Sequence, residues 1–205
     1  MAGHIIKLNY GVANPLEKNK FSAFTPSFIS ALPLKAGQGV LAKPNNMEFS
    51  LKPIGKIYTP YKEKRGVPFQ GAFDPESKGR AEIFKEFEPG LMDLEGFSHL
   101  IFLYLFDRAE GYDLVCRPYM EDKLHGVFAT RAPKRPNQIG LSVVRLESRE
   151  GSTLHVAEVD MLDGTPLLDI KPFVPAFDHR ENVRVGWMKG PLRNPDKKTV
   201  SDDRF

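Results

Sequence analysis

Cysteine is almost missing from this chain: its 205 residues hold one, Cys116. A lone cysteine excludes an internal disulfide and a thiolate-rich zinc site, and it reads as a small core residue. The five histidines, at positions 4, 99, 125, 155 and 179, share no tight spacing with one another or with the cysteine, so no metal is expected. Long apolar runs are missing too. The stretch Leu100 to Phe106 falls far short of the ~20 residues that a membrane-spanning helix needs. The N-terminus shows no basic segment followed by an apolar run, so no signal peptide is expected and the default location is cytoplasmic. Charge of one sign does not dominate: a net +3 permits nucleic-acid binding without arguing for it. The nearest approach to a glycine-rich dinucleotide loop, Gly37-Gln38-Gly39, lies between no strand and helix and reads as a plain turn. There is no phosphate-binding P-loop, and no serine stands in the setting of a nucleophile elbow.

What the chain does have is 17 prolines, 17 glycines and 15 phenylalanines, a composition that favours short strands and many turns over long helices. Residues 1–48 read as an arm: rich in Pro, Asn, Ser and Gly, yet with apolar side chains enough to pack on the main domain or on a second subunit. The main domain is expected over residues 49–178, and residues 179–205 as a polar tail with a frayed end that carries the single tryptophan, Trp187. Strands are expected at Leu51–Tyr58, with Pro53 putting it at an edge or bulge, and at Arg80–Phe87. His99–Phe106, apolar on both faces, reads as a central strand. His125–Thr130, Ile139–Leu146, Thr153–Val159 and Leu167–Ile170 continue the series. The class is mainly β, a sandwich or a barrel.

Two turns carry clustered charge. Arg131, Lys134 and Arg135 sit in a proline-stiffened turn that also holds Asn137, an arrangement suited to an anion or carboxylate. Taken alone, this segment reads more readily as a solvated hairpin turn. Asp160, Asp163, Asp169 and Lys171 surround a second turn, with Asp169 and Lys171 at period two on one face of a strand. An Asx-turn with one ion pair explains that turn equally well on its own. Both turns in one small β-domain favour a functional site.

These residues also carry a resemblance. FATRAPKRPNQIGLSVVRL followed by DMLDGTPLLDIKPFVP resembles, nearly word for word, the signature of the TsaA-like, or TrmO, proteins. Upstream, IGKIYTPYKEKRGVPFQG and LEGFSHLIFLYLF resemble the family's opening strand and central strand, so the likeness covers Phe49 to about Asp178. It implies a small antiparallel β-barrel and S-adenosylmethionine-dependent methyl transfer to N6 of threonylcarbamoyl-adenosine beside the anticodon of tRNA. It also implies a homodimer that holds the cofactor near the subunit interface.

By the family pattern, the cofactor contacts are Phe69-Gln70-Gly71, Asp107-Arg108, Arg131, Leu141 and the run Ala157, Glu158, Val159, Asp160. Arg131 would pair with the methionyl carboxylate, and Asp160 would accept from ribose hydroxyls or the amino group. Asp163 and Asp169 would order the second turn or take the acceptor's proton; Asn137 and Lys171 complete the catalytic set. Lys134 and Arg135 would face the nucleic acid. In-line displacement from an activated sulfonium needs alignment and exclusion of water, not a metal or a triad. Three departures stand out: Gln138 replaces the proline usual after Asn137, Asp107-Arg108 replaces a polar pair, and the long C-terminal extension of the bacterial tRNA enzymes is missing. Two other readings stay open: the same chemistry on a small molecule or another RNA, and a non-catalytic module that binds S-adenosylmethionine.

Overall fold

The computed structural model describes residues 49–193 and 201–202. The expected arm, residues 1–48, lies outside them. Six strands close into an antiparallel barrel: β1 (Gly55–Tyr58), β2 (Lys78–Ile83), β3 (His99–Leu105), β6 (Ile139–Glu150), β7 (Thr153–Ala157) and β8 (Thr165–Pro172). Their order around the barrel is β1-β2-β7-β6-β3-β8, with β8 returning to β1. A separate two-stranded ribbon pairs β4 (Val115–Cys116) with β5 (His125–Gly126), and one helical turn, α1 (Pro175–Asp178), follows β8. Among the described residues no helix is long and apolar enough to cross a membrane.

Alternation builds the barrel. In β3, Leu100, Phe102 and Tyr104 point inward and are at most 4% exposed, while His99, Ile101 and Leu103 face outward. Across the ladder Phe102 pairs with Ser142 and Tyr104 with Gly140. Glycine is required there, because a Cβ at Gly140 would lie 2.2 Å from the Tyr104 ring. Leu154, Val156, Ile57 and Leu167 fill the rest of the core, and Leu91 and Leu94 close one end. The loops 59–77, 106–138 and 158–164 all leave from the opposite end, as the antiparallel register requires.

The sequence reading needs three corrections. Pro53 lies outside β1, which begins at Gly55, as expected for a residue without a backbone donor. The strand expected to reach Phe87 stops at Ile83. Lys85–Leu91 then coils as a 3₁₀ helix, which delivers Leu91 to the barrel's closed end. The strand expected over His125–Thr130 is two residues long, because Thr130 bonds the Val127 carbonyl with both its amide (3.1 Å) and its hydroxyl (2.9 Å), closing a turn. Cys116 is a core residue, packed with Val127 and Ala132.

Candidate active site

At the open end lies a cavity of about 650 Å³, within the range of small-molecule and cofactor sites. Its floor is the barrel's own interior: Tyr104, Thr165 and Met161, with Asp160 among them. The chain leaves β7 through Glu158 at φ 65°, a left-handed conformation costly for a residue with a Cβ. The Glu158 carbonyl there lies against Gly71, where an added Cβ would sit 1.8 Å from the oxygen. That close approach lets the Gly71 amide donate to Asp160 Oδ2 at 3.0 Å. Ser142 Oγ donates to Asp160 Oδ1 at 2.5 Å, and the Tyr104 hydroxyl lies 3.1 Å from Ser142 Oγ. Asp160 reaches the cavity, but protein atoms crowd its carboxylate, and that desolvation pushes its pKa up to about 6 against the bonds from Ser142 and Gly71. The charge of Arg131 also lowers it. Burial likewise raises the Tyr104 hydroxyl, so it stays protonated.

Arg131 lines the same cavity, its guanidinium bonded to the Gln70 side-chain oxygen, while Gln70 Nε2 donates to the Phe69 carbonyl at 2.9 Å. Phe69 meets Phe73 and Tyr119 at ring separations of 6.4 and 6.2 Å, giving the cavity an aromatic side. Of the residues named from sequence, Phe69, Gln70, Asp107, Arg108, Arg131 and Asp160 line this one space, and Gly71 supports it through its amide.

The others lie elsewhere. Asp163 accepts from the Thr59 amide (3.1 Å) and Lys62 Nζ (2.6 Å), and the Lys62 bond holds its carboxyl below the usual range. Arg108 donates to the carbonyls of Asp163 (2.6 Å) and Lys62 (3.3 Å), so this group knots two loops together. Asp169 and Lys171 pair at 2.7 Å on β8, opposite Leu103 and Ile101, on the barrel's outer wall. Leu141 is exposed on β6 and also pairs with Leu103. Ala157 and Val159 are fully buried, and the Glu158 carboxylate lies 3.6 Å from Arg145 Nε. Arg135 points back at the carbonyls of Thr130 (3.3 Å) and Ala132 (3.5 Å), bracing the basic turn. Lys134 and Asn137 are half-buried in that turn and do not line the cavity.

Gln138, in place of a proline, tightens its surroundings: Nε2 donates to the carbonyls of Ala109 (2.8 Å) and Gly111 (3.0 Å). Sequence reasoning missed the inward pair Tyr104–Ser142 and the tail residues Trp187, Met188, Leu192 and Ser201, which complete the wall. The lone tryptophan in a polar tail was the available signal. Of the end expected to fray, Ser201 is held: its amide donates to Val67 O at 2.8 Å and its carbonyl accepts from the Gly66 amide at 3.0 Å, while residues 194–200 and 203–205 lie outside the described residues.

A closed antiparallel barrel with a ligand-sized, partly aromatic cavity at its open end defines a small-molecule-binding barrel. The particular family is that of the tRNA-methyltransferase O N-terminal domain, to which the chain belongs, its model matching residues 56–179. A protein of Pyrococcus abyssi named as a probable S-adenosyl-L-methionine-binding protein is 53% identical over 154 residues, 75% of this chain and 83% of the relative. The human tRNA (adenine(37)-N6)-methyltransferase is 38% identical over 141 residues, 64% of this chain and 32% of that enzyme. A crystal structure of TrmO from Pseudomonas aeruginosa superposes with a TM-score of 0.59 at 41% identity, covering 69% of this chain and 63% of that one. The chain thus spans most of the archaeal relative but a third of the human enzyme.

Proposed function

We propose that this protein is an S-adenosylmethionine-dependent methyltransferase acting on N6 of the threonylcarbamoyl-adenosine beside the anticodon of tRNA. The observation that carries the reading is the meeting of Arg131 and Asp160 in one cavity with an aromatic side. The chemistry of these groups fits the cofactor: a guanidinium for its carboxylate, a carboxylate for its ammonium or ribose donors, and rings for its adenine. When bound, S-adenosylmethionine supplies an activated methyl group on a sulfonium.

The chain's own residues align and enclose. Phe69 and Gln70 wall the cavity, the Gln70 oxygen orients Arg131, and the Gly71 amide and Ser142 hydroxyl fix Asp160. Asp163, held acidic by Lys62, is a poor proton acceptor at neutral pH. We assign the homodimer to the outer face of β3 and β6, where Leu103 faces Leu141 and Ile101 faces Val143 across the ladder. The protein would work in the cytoplasm with its tRNA.

The test is methyl transfer from labelled S-adenosylmethionine to total tRNA, with and without the threonylcarbamoyl group. Label on modified tRNA alone supports the reading. Cofactor binding without label on either tRNA overturns it and moves the search to small-molecule acceptors.

A further inference from the structure

Phe128 is 76% exposed, yet it lines the cavity. It sits in the 3₁₀ turn Val127–Ala129, and the chain around it is clamped on several sides. Val127 is fully buried and its amide donates to the Leu114 carbonyl at 2.9 Å. Thr130 closes the turn onto the Val127 carbonyl. From the tail, Trp187 Nε1 donates to the Ala129 carbonyl at 2.8 Å. The Trp187 indole in turn stacks on His125, with ring centres 4.6 Å apart and planes 22° from parallel, and His125 is bonded to Glu121. The protein thus holds an apolar ring out at the mouth of the cavity on a rigid turn, two residues before Thr130 and three before Arg131. Trp187 lies beyond the segment matched by the family model, so this clamp is supplied by the tail.

We propose that Phe128 is the stacking platform for the acceptor base, and that Trp187 is the residue that positions it. The inference rests on the tRNA reading above. A base drawn out of an RNA loop loses its neighbours in the stack, and an aromatic face replaces them without reading sequence. Because Arg131 follows directly on Thr130, which closes the turn that carries Phe128, the acceptor platform and the proposed carboxylate clamp keep a fixed separation. That is what an in-line transfer requires of its two partners.

The test compares Phe128→Leu, Phe128→Tyr and Trp187→Phe by methyl-transfer kinetics on modified tRNA and by calorimetric titration with S-adenosylmethionine. Phe128→Leu keeps an apolar side chain and removes the π-face; it is expected to raise KM for tRNA about 5- to 150-fold, the equivalent of one lost base–aromatic stack. Phe128→Tyr should keep near-wild-type KM. Trp187→Phe should move KM in the same direction as Phe128→Leu, and in both the change in KM for tRNA should exceed any change in cofactor affinity. An unchanged KM in Phe128→Leu overturns the inference while leaving the tRNA activity standing. A loss of dimer mass by light scattering in Phe128→Leu also overturns it, assigning the ring to a subunit contact. A wild-type protein that labels no tRNA overturns the platform together with the reading it rests on.

Discussion

Asp160 should make the protein less stable as pH rises from about 4 to about 6, and Asp160→Asn should abolish that decline. The native carboxyl has its pKa pushed from 3.8 up to about 6, chiefly by desolvation. Between those values the unfolded chain has released the proton while the native state retains it. Stability therefore falls with rising pH across the window and levels off above it. At ~1.36 kcal/mol per pH unit, the full loss is about 3 kcal/mol. Asparagine cannot ionise, and it can still accept from the Gly71 amide while donating to Ser142, whose hydroxyl can turn to Tyr104. Relative to wild type, Asp160→Asn should thus gain up to about 3 kcal/mol between pH 4 and pH 7. The assay is urea unfolding followed by circular dichroism at closely spaced pH values, read as the difference between the two proteins. Taking the difference cancels Asp163, whose lowered pKa acts in the opposite direction at lower pH. A difference that stays flat from pH 4 to pH 7 would refute the argument. The same linkage bears on the cofactor: if its donors favour the ionised carboxylate, binding near pH 6 should release up to about half a proton per site. Titration in buffers of different ionisation enthalpy measures that release.

Three further outcomes are expected. Arg131→Ala should weaken S-adenosylmethionine binding by about 1.5–3 kcal/mol if the guanidinium pairs with the cofactor carboxylate, and unchanged affinity of the folded variant would sink that assignment. Gly140→Ala would force a Cβ into the Tyr104 ring and should cost about 1–3 kcal/mol by overpacking, checked by thermal unfolding. Gln138→Ala removes the two bonds to the Ala109 and Gly111 carbonyls and should lower stability by about 1–2 kcal/mol. Faster hydrogen exchange confined to residues 109–111 would accompany it.

The sequence by itself determined where the barrel's strands lie and named several residues that gather at its cavity, because both are written in local patterns. Short apolar runs such as HLIFLYLF and IGLSVVRL, set between turn residues, mark the strands whatever lies far away in the chain, while closure of the barrel decided which face of HLIFLYLF turns inward. The family signature likewise placed Phe69, Gln70, Arg131 and Asp160 in one site before any fold was known. Tertiary structure decided what each charged group does there, since that depends on partners distant in sequence. Asp160 and Asp163 are three residues apart and chemically identical, yet desolvation in the barrel raises one pKa despite bonds from Ser142 and Gly71, while the bond from Lys62 lowers the other. Arg131 and Arg135 belong to one turn, but only Arg131 reaches the cavity; Arg135 is turned back onto carbonyls of that turn. The tail offered no period and no motif, so its role as a wall could not be read locally. It follows from Trp187 and Ser201 finding backbone partners 58 and 134 residues away.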